Sequence, residues 1–293
     1  DLDNANSNIL KAIEKNKDND GYRDYQKNLE TLKSNIKSAQ KTFDSGYLEQ
    51  AIEEYELLIK DFPKSPIPHY YLGLIYLKTE FYDSAVKYFN QAIKINPYEL
   101  EKYTKSIISI SQRLAKSGDE KYRIREFEDA LSLYLEAVVY YPEFSSVLYR
   151  ISNVYQQLGN YPAAKDYANS TLDYDNNHYK AMKTLGDLYY KLGDIDKSIE
   201  SYNQSLRVNS NYYKAYYSLS KVLHEKGKVN NAISNLEHAI TINPNYEKAY
   251  VLLGVIYMDN SNYEDAIDNF NKAIMLNDKN YKVLFRLAET YNR

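Results

Sequence analysis

The side chains best suited to catalysis or metal binding are few, and their spacing matches no known site. Four histidines occur without the HxxxH or HxxE spacing of metal ligands, at His69, His178, His224 and His238. The chain has no cysteine, which removes thiol catalysis and thiolate ligands. Neighbouring acids such as Glu53 and Glu54 point in different directions on a helix and make a poor acid/base pair. The residues predict no catalytic activity, no metal and no cofactor.

Charge and hydropathy argue against two classes of partner. A formal net charge of -3 gives no overall positive field to attract nucleic acid. No apolar run reaches the roughly 18 to 20 residues of a membrane helix, so no direct membrane insertion is expected. The sequence begins at Asp1 without Met, which leaves open that a leader was removed. Cytoplasmic and cell-envelope locations are both compatible with it.

Residues suited to binding, namely lysines and tyrosines, are spaced more regularly than the candidate catalytic residues. Lysines recur every 34 residues at Lys180, Lys214, Lys248 and Lys282. Tyrosine is unusually common, with 34 tyrosines against 8 phenylalanines and no tryptophan. A fixed spacing of this kind indicates a repeated structural unit, because equivalent positions of a repeat fall on equivalent surfaces.

The same period appears in the apolar and small residues. One small-residue column contains Ala39, Gly73, Ser152, Gly186, Ser220, Gly254 and Ala288. A second contains Ala51, Ala85, Ala130, Ala164, Ser198, Ala232 and Ala266, and a third holds mostly bulky residues such as Tyr55, Phe89 and Phe270. Small residues let two helices approach closely while the bulky ones fill the space beside them, so each unit is predicted to be a helical hairpin. Such hairpins must stack on neighbours to bury their apolar faces.

The segments "YYLGLIYLKTEFYDSAVKYFNQAIKINP" and "YVLLGVIYMDNSNYEDAIDNFNKAIMLN" resemble tetratricopeptide (TPR) repeats. The resemblance implies an all-α fold, an α-α superhelix in which helical hairpins form a right-handed solenoid. We expect about seven repeats over residues 32–280 and a C-terminal capping helix over 281–293, in which Leu284, Leu287, Ala288 and Tyr291 repeat the first-helix stripe. Residues 1–31 are expected to form a helical flank or cap, with a flexible connection near 15–21.

The third repeat, at about 100–144, carries an 11-residue insertion. Eleven residues are close to three helical turns, so one continuous lengthened helix would keep its apolar face in register. Ser117, Gly118 and Asp119 favour the alternative, a helix stop followed by a loop before Phe127. The sequence leaves both open.

The resemblance further implies that partners bind in a concave groove lined by the first helix of each hairpin. The expected groove residues are Tyr70, Tyr149, Arg150, Asn153, Lys180, Lys183, Asp187, Tyr190, Lys214, Tyr217, Lys221, Lys248, Lys282 and Arg286. A lysine in the first turn opposes the helix dipole at a cost of about 0.3–1 kcal/mol, so helix stability does not explain the lysine column. Binding an acidic segment would explain it, and so would a solubilising role. The tyrosines are peptide anchors or reflect the composition of the chain.

The expected function is that of a non-catalytic scaffold or adaptor that binds a protein or peptide, with an acidic segment as the favoured ligand. The clamp with which relatives bind the C-terminal acids of chaperones is not matched, since only Asn153 and Lys214 fit it from the fourth repeat. Two alternatives stay open. The chain could be the regulatory or substrate-docking region of a larger enzyme, or a self-associating structural scaffold of a cell envelope.

Overall fold

The structure, a computed structural model, describes residues 2–16 and 19–293, and in those residues it contains sixteen α-helices and no strand. The helices are α1 Leu2–Lys15, α2 Asp20–Asp44, α3 Leu48–Asp61, α4 Pro66–Lys78, α5 Tyr82–Ile95, α6 Leu100–Arg123, α7 Phe127–Tyr140, α8 Ser145–Gln157, α9 Tyr161–Tyr174, α10 Tyr179–Lys191, α11 Ile195–Val208, α12 Tyr213–Glu225, α13 Val229–Ile242, α14 Glu247–Asp259, α15 Tyr263–Leu276 and α16 Tyr281–Tyr291. A short 3-10 turn, Pro97–Glu99, precedes α6. The all-α class is confirmed.

The chain divides into two compact units. The first comprises Asp1–Lys116 with Val139–Tyr141, and the second comprises Ser117–Val138 with Pro142–Arg293. In the first unit α2 packs on α3, and α4 on α5. In the second unit the pairs are α8 with α9, α10 with α11, α12 with α13, and α14 with α15, followed by α16 on α15. The repeated element is therefore a pair of successive helices, which we call the first and second helix of a hairpin.

Four hairpins are held by close contact between a glycine of the first helix and the aromatic ring 16 positions later in the second. A Cβ added to Gly186 would lie 2.5 Å from the Tyr202 ring, and one added to Gly254 would lie 2.6 Å from the Phe270 ring. Real Cβ atoms do not approach so closely, so each of these positions requires glycine while the ring opposite keeps its place. We call this contact the hairpin lock.

The hairpin α8–α9 uses a different pair at the lock. Ser152 replaces glycine and Ala168 replaces the ring, and both are fully buried. The Ser152 hydroxyl donates a hydrogen bond to the Ala164 carbonyl oxygen at 2.7 Å. A larger residue on the first helix is thus matched by a smaller one on the second, and the hydroxyl is satisfied.

The lengthened third repeat contains one continuous helix, α6, with 24 residues. The helix stop and loop expected as the alternative at residues 117–119 do not occur. Gly118, which suggested a stop, is a lock residue, because a Cβ there would lie 2.5 Å from the Tyr134 ring. The expected flexible connection near 15–21 includes residues 17 and 18, which lie outside the described residues.

The last helix, α16, is only partly covered. Val283 and Thr290 are buried and Leu287 packs against the α14–α15 core. Leu284, Ala288 and Tyr291, which share the first-helix stripe with Leu287 in the sequence, are exposed. Of the stripe residues in α16, only Leu287 is half-buried and the other three are exposed.

The hairpin lock predicts the effect of a single methyl group. Gly254→Ala should lower the free energy of unfolding by about 1–3 kcal/mol, because the new Cβ overlaps the Phe270 ring. Urea unfolding followed by circular dichroism measures the change. The double variant Gly254→Ser with Phe270→Leu reproduces the natural pair Ser220 and Leu236 and should recover part of the loss. Equal stability of Gly254→Ala and the wild type would contradict the lock.

Candidate functional site

The expected groove residues lie on first helices, and the structure separates one of them from the rest. Tyr70 lies on α4 in the first unit. The other thirteen belong to the second unit, with Tyr149, Arg150 and Asn153 on α8, Lys180, Lys183, Asp187 and Tyr190 on α10, Lys214, Tyr217 and Lys221 on α12, Lys248 on α14, and Lys282 and Arg286 on α16.

The four lysines spaced by 34 residues, here called the lysine ladder, occupy equivalent positions. Each is the second residue of its helix, in α10, α12, α14 and α16, and each is exposed. In the part of the chain that the structure describes, none of them forms an ion pair. The Nζ atoms of Lys180 and Lys214 lie 5.8 Å and 5.9 Å from the ring centroids of Tyr179 and Tyr213. Positive side chains thus add to the positive end of each helix dipole.

Two of the expected groove residues, Lys183 and Asp187, are already paired with each other. Lys183 Nζ lies 2.5 Å from Asp187 Oδ2, and both side chains are mostly shielded from solvent. The Tyr202 hydroxyl donates a hydrogen bond to Asp187 Oδ1 at 2.8 Å. Burial, followed by the Asp187 carboxylate, raises the pKa of Tyr202. Asp187 therefore connects a groove lysine to the lock residue of the second helix.

A second network of this kind surrounds Asp119, which is not among the residues expected from the sequence. The Tyr134 hydroxyl donates to Asp119 Oδ1 at 2.8 Å, and Arg150 Nη1 of α8 lies 3.3 Å from Asp119 Oδ2. Asp119 and Asp187 are 68 residues apart, or two repeat periods. This spacing could have identified Asp119 as the equivalent of Asp187. Asp119 was overlooked because it lies in the segment that also suggested a helix stop. Arg150 therefore already has an ion-pair partner within the protein, Asp119.

Between α10 and α12 the polar side chains bridge adjacent first helices. The Tyr190 hydroxyl donates to Glu225 Oε1 at 2.6 Å, and Lys221 Nζ lies 4.7 Å from the centroid of the Tyr190 ring. The hydrogen bond to Glu225, together with burial, raises the pKa of Tyr190 to about 12. One repeat later, His224 Nε2 lies 3.2 Å from Asp259 Oδ2 on α14. These contacts fix the spacing of neighbouring first helices.

The groove tyrosines pack against rings at the start of the next first helix. The Tyr149 ring centroid lies 4.7 Å from that of His178, the N-cap of α10. The Tyr217 centroid lies 5.4 Å from that of Tyr246, the N-cap of α14. Burial raises the pKa of Tyr217 and lowers that of His178. Tyr149 and Tyr217 are half-buried, so only part of each ring is available to a partner.

Tyr70 borders a separate cavity in the first unit. Lys102 Nζ lies 4.1 Å from the Tyr70 ring centroid, which is a cation–π contact. The cavity measures about 700 Å³ and is also lined by Leu74, Leu77 and Lys105. Tyr70 therefore lines a cavity formed within the first unit.

Two of the expected residues, Asn153 and Arg286, remain to be described. Asn153 is half-buried on α8, and Arg286 is exposed on α16.

Over residues 2–16 and 19–293, no group of three or more histidine and acidic side chains is arranged to hold a metal ion. None of the helices that the structure describes is long and apolar enough to cross a membrane.

Paired helices joined by a small-to-bulky contact at a constant spacing define a class, the α-helical hairpin repeat proteins. Tetratricopeptide repeat models match residues 66–99, 116–179, 186–227, 220–261 and 247–280. Together they cover about two thirds of the chain. The chain belongs to the tetratricopeptide repeat family, as the sequence predicts.

Known proteins show the same repeat. A 148-residue stretch, 50% of this chain, is 28% identical to the BBSome complex member BBS4 of Bos taurus, and the match spans 26% of that relative. A thermophilic TPR protein of Thermus thermophilus is similar in structure, with 18% identity and a TM-score of 0.53 over 62% of this chain and all of that one. The APC/C hetero-tetramer Cut9-Hcn1 contains a chain that matches 99% of this one over 52% of its own length, with 16% identity and a TM-score of 0.54.

The two kinds of groove charge predict different effects of alanine substitution on stability. Asp187→Ala should lower the free energy of unfolding by about 1–3 kcal/mol, because Lys183 and the Tyr202 hydroxyl lose their partner. Lys180→Ala, on the same helix but without an ion pair among the described residues, should not lower the urea midpoint and should raise it slightly, because it removes a positive charge from the positive end of the helix dipole. An equal effect of both variants would contradict the division into structural and free charges.

Proposed function

We propose that the lysine ladder of the second unit binds an acidic segment of a partner protein. The family and its repeats support a protein-interaction scaffold, and a relative that is a member of a multi-protein complex agrees with that role. The observation that carries the finer proposal is the contrast within the groove. Lys183 and Arg150 are neutralised by Asp187 and Asp119, whereas the ladder lysines are exposed and form no ion pair within the described residues.

The arrangement of the ladder suits an extended ligand. Neighbouring first helices from α8 to α14 contact one another, and packed helices lie about 8–10 Å apart. An extended chain advances about 3.3–3.6 Å per residue. Acidic residues at every third position would therefore meet successive lysines, each at the positive end of a helix.

The partially exposed rings beside the ladder supply apolar contact. Tyr149 and Tyr217 are held by packing against His178 and Tyr246, so their rotamers are fixed before a ligand arrives. Fixed aromatic rings lose little conformational entropy on binding. An acidic segment with interspersed apolar residues fits this surface better than a purely acidic one.

We infer that the function is non-catalytic. The acidic and basic side chains in the groove are held in pairs that connect helices, as in Lys183 with Asp187 and Arg150 with Asp119. Pairing of this kind stabilises a scaffold, and it occupies these acids and bases with one another.

Charge reversal tests the ladder. The triple variant Lys180→Glu, Lys214→Glu and Lys248→Glu should weaken binding of a fluorescent peptide with Glu at every third position by at least about tenfold at low salt, as measured by fluorescence anisotropy. The wild-type affinity should also fall as salt rises, since exposed charges are screened.

A matched control separates the ladder from net charge. Lys191→Glu, Lys228→Glu and Lys272→Glu change the charge equally at exposed lysines of the same unit that, among the described residues, form no ion pair. These changes should reduce affinity far less. Equal losses in both triple variants would show only non-specific attraction, and unchanged binding in the ladder variant would refute the proposal.

A further inference from the structure

Helix α2 is longer than the regular first helices, and its additional turns lie at its N-terminal end. Helices α10 and α14 each contain 13 residues, whereas α2 contains 25. The regular helices begin about two turns before their lock glycines, Gly186 and Gly254. Ala39 occupies the same position of the repeat in α2, which begins about five turns earlier. Since α3 has only 14 residues, the additional turns of α2 extend past the end of α3.

A cavity of about 550 Å³, here called the α2 cavity, lies beside these additional turns. One wall is formed by residues of α2 between 25 and 32. The other is formed by residues 62–67, at the turn from α3 to α4, and by residues between 95 and 99, at the turn from α5 to α6. All of them belong to the first unit, and of the described residues of α1 only Ala5 lines the cavity. A volume of this size is typical of sites for small organic ligands.

The interior of the α2 cavity is mostly apolar. Leu29 and Leu32 of α2 are each only 7% exposed. Phe62, Ile67 and Ile95 of the two turns line the cavity as half-buried side chains. A hydrocarbon group placed between these walls would be removed from water on both sides, which favours its binding.

One buried hydroxyl at the α2 cavity has no hydrogen-bond partner. Ser65 lines the cavity, is only 8% exposed and is the N-cap residue of α4. A serine at this position usually accepts a hydrogen bond from a backbone N–H of the first turn, but the Ser65 side chain does not. Its Oγ atom has no partner among the described residues. Such groups are rare in native proteins, and rotation about the Cα–Cβ bond lets this one reach a ligand atom in the cavity.

Two further donors lie beside Ser65. Lys64 also lines the cavity, is exposed and forms no ion pair within the described part of the chain. The N–H of Ile67 lies in the first turn of α4, where backbone donors have no partner inside the helix and the helix dipole is positive. Pro66 and Pro68 have no N–H to offer. The donor groups at this end are thus a hydroxyl, an ammonium group and one amide.

The acceptors of the α2 cavity are already engaged. Glu99 Oε2 accepts hydrogen bonds from Lys102 Nζ at 3.3 Å and from the Tyr103 hydroxyl at 3.2 Å. The Asn96 side-chain oxygen accepts from the Tyr98 N–H at 3.2 Å. Lys102 thus balances the charge of Glu99. With acceptors engaged and donors available, the polar end of the cavity matches a group that accepts hydrogen bonds and carries negative charge.

We propose that the α2 cavity binds a small carboxylate with an apolar body, such as a medium-chain fatty acid. The carboxylate accepts hydrogen bonds from the Ser65 hydroxyl and the Ile67 N–H and pairs with Lys64. Its two oxygens provide enough lone pairs for these three groups. The hydrocarbon chain lies against Leu29 and Leu32. This site is independent of the lysine ladder, which belongs to the second unit.

Calorimetric titration of the full chain with octanoate and octanol tests the choice of ligand. Both have the same hydrocarbon chain, but only octanoate is charged. Octanoate should therefore bind at least about tenfold more tightly than octanol, and its affinity should fall as salt rises. Equal affinity for both ligands, or no binding of octanoate at about 1 mM, would overturn the proposal.

Methyl resonances locate the bound ligand. When octanoate is titrated into the chain with labelled leucine and isoleucine methyl groups, the largest shifts should fall on Leu29, Leu32, Ile67 and Ile95. Leu236, which is buried in the core of the second unit, should not change. Shifts spread over exposed leucines and isoleucines of both units would indicate adsorption to apolar surface and would contradict a defined site.

The variant Ser65→Ala separates binding from folding. It should weaken octanoate binding by about three- to tenfold, because one hydrogen bond to the ligand is lost. It should not lower the urea midpoint of the free protein, since Oγ has no partner there among the described residues. A lowered midpoint would show a structural role for the hydroxyl and would count against the proposal.

Charge reversal tests the ammonium group. Lys64→Glu should weaken octanoate binding by at least about tenfold. The matched control Lys87→Glu changes an exposed lysine of the same unit that does not line the cavity, and its effect should be far smaller. Equal losses in the two lysine variants, or unchanged affinity in either Lys64→Glu or Ser65→Ala, would refute the proposed site.

Discussion

The close approach of a glycine on the first helix to the ring 16 positions later, seen in four hairpins, is the constraint on which the other features depend. Gly73, Gly118, Gly186 and Gly254 leave no room for a Cβ against the ring of the second helix. Contact at this distance fixes how each first helix is rotated about its axis, because any other rotation would lose the packing. Each of these first helices therefore has one face committed to its partner, and the residues expected to line a groove lie on a different face.

The polar contacts of the first helices depend on this packing. Asp119 and Asp187 accept hydrogen bonds from the hydroxyls of Tyr134 and Tyr202, so the lock residues also position groove carboxylates. Those carboxylates in turn hold Arg150 and Lys183. The ladder lysines lie in the first turns of their helices, beyond the reach of these networks. Whether a cation is paired or free therefore depends on its position along the helix.

The sequence predicted the hairpins and their period because small and bulky residues in packed helices leave a spacing that needs no knowledge of side-chain conformation. It could not decide whether α6 is continuous, since Gly118 serves both as a helix breaker and as a lock residue. The pairing of Arg150 with Asp119 was missed because it joins different helices. The packing of Tyr149 on His178 was missed for the same reason. Such contacts depend on the packing geometry, which the repeat period alone does not give.

The central claim is that first helices lock with one face and bind with the other. Amide chemical-shift mapping by nuclear magnetic resonance, with an acidic peptide titrated into the labelled chain, tests it most directly. The account predicts that the largest shifts fall in the first turns of α10, α12 and α14, while α11, α13 and α15 change little. Shifts concentrated on those second helices would contradict the account.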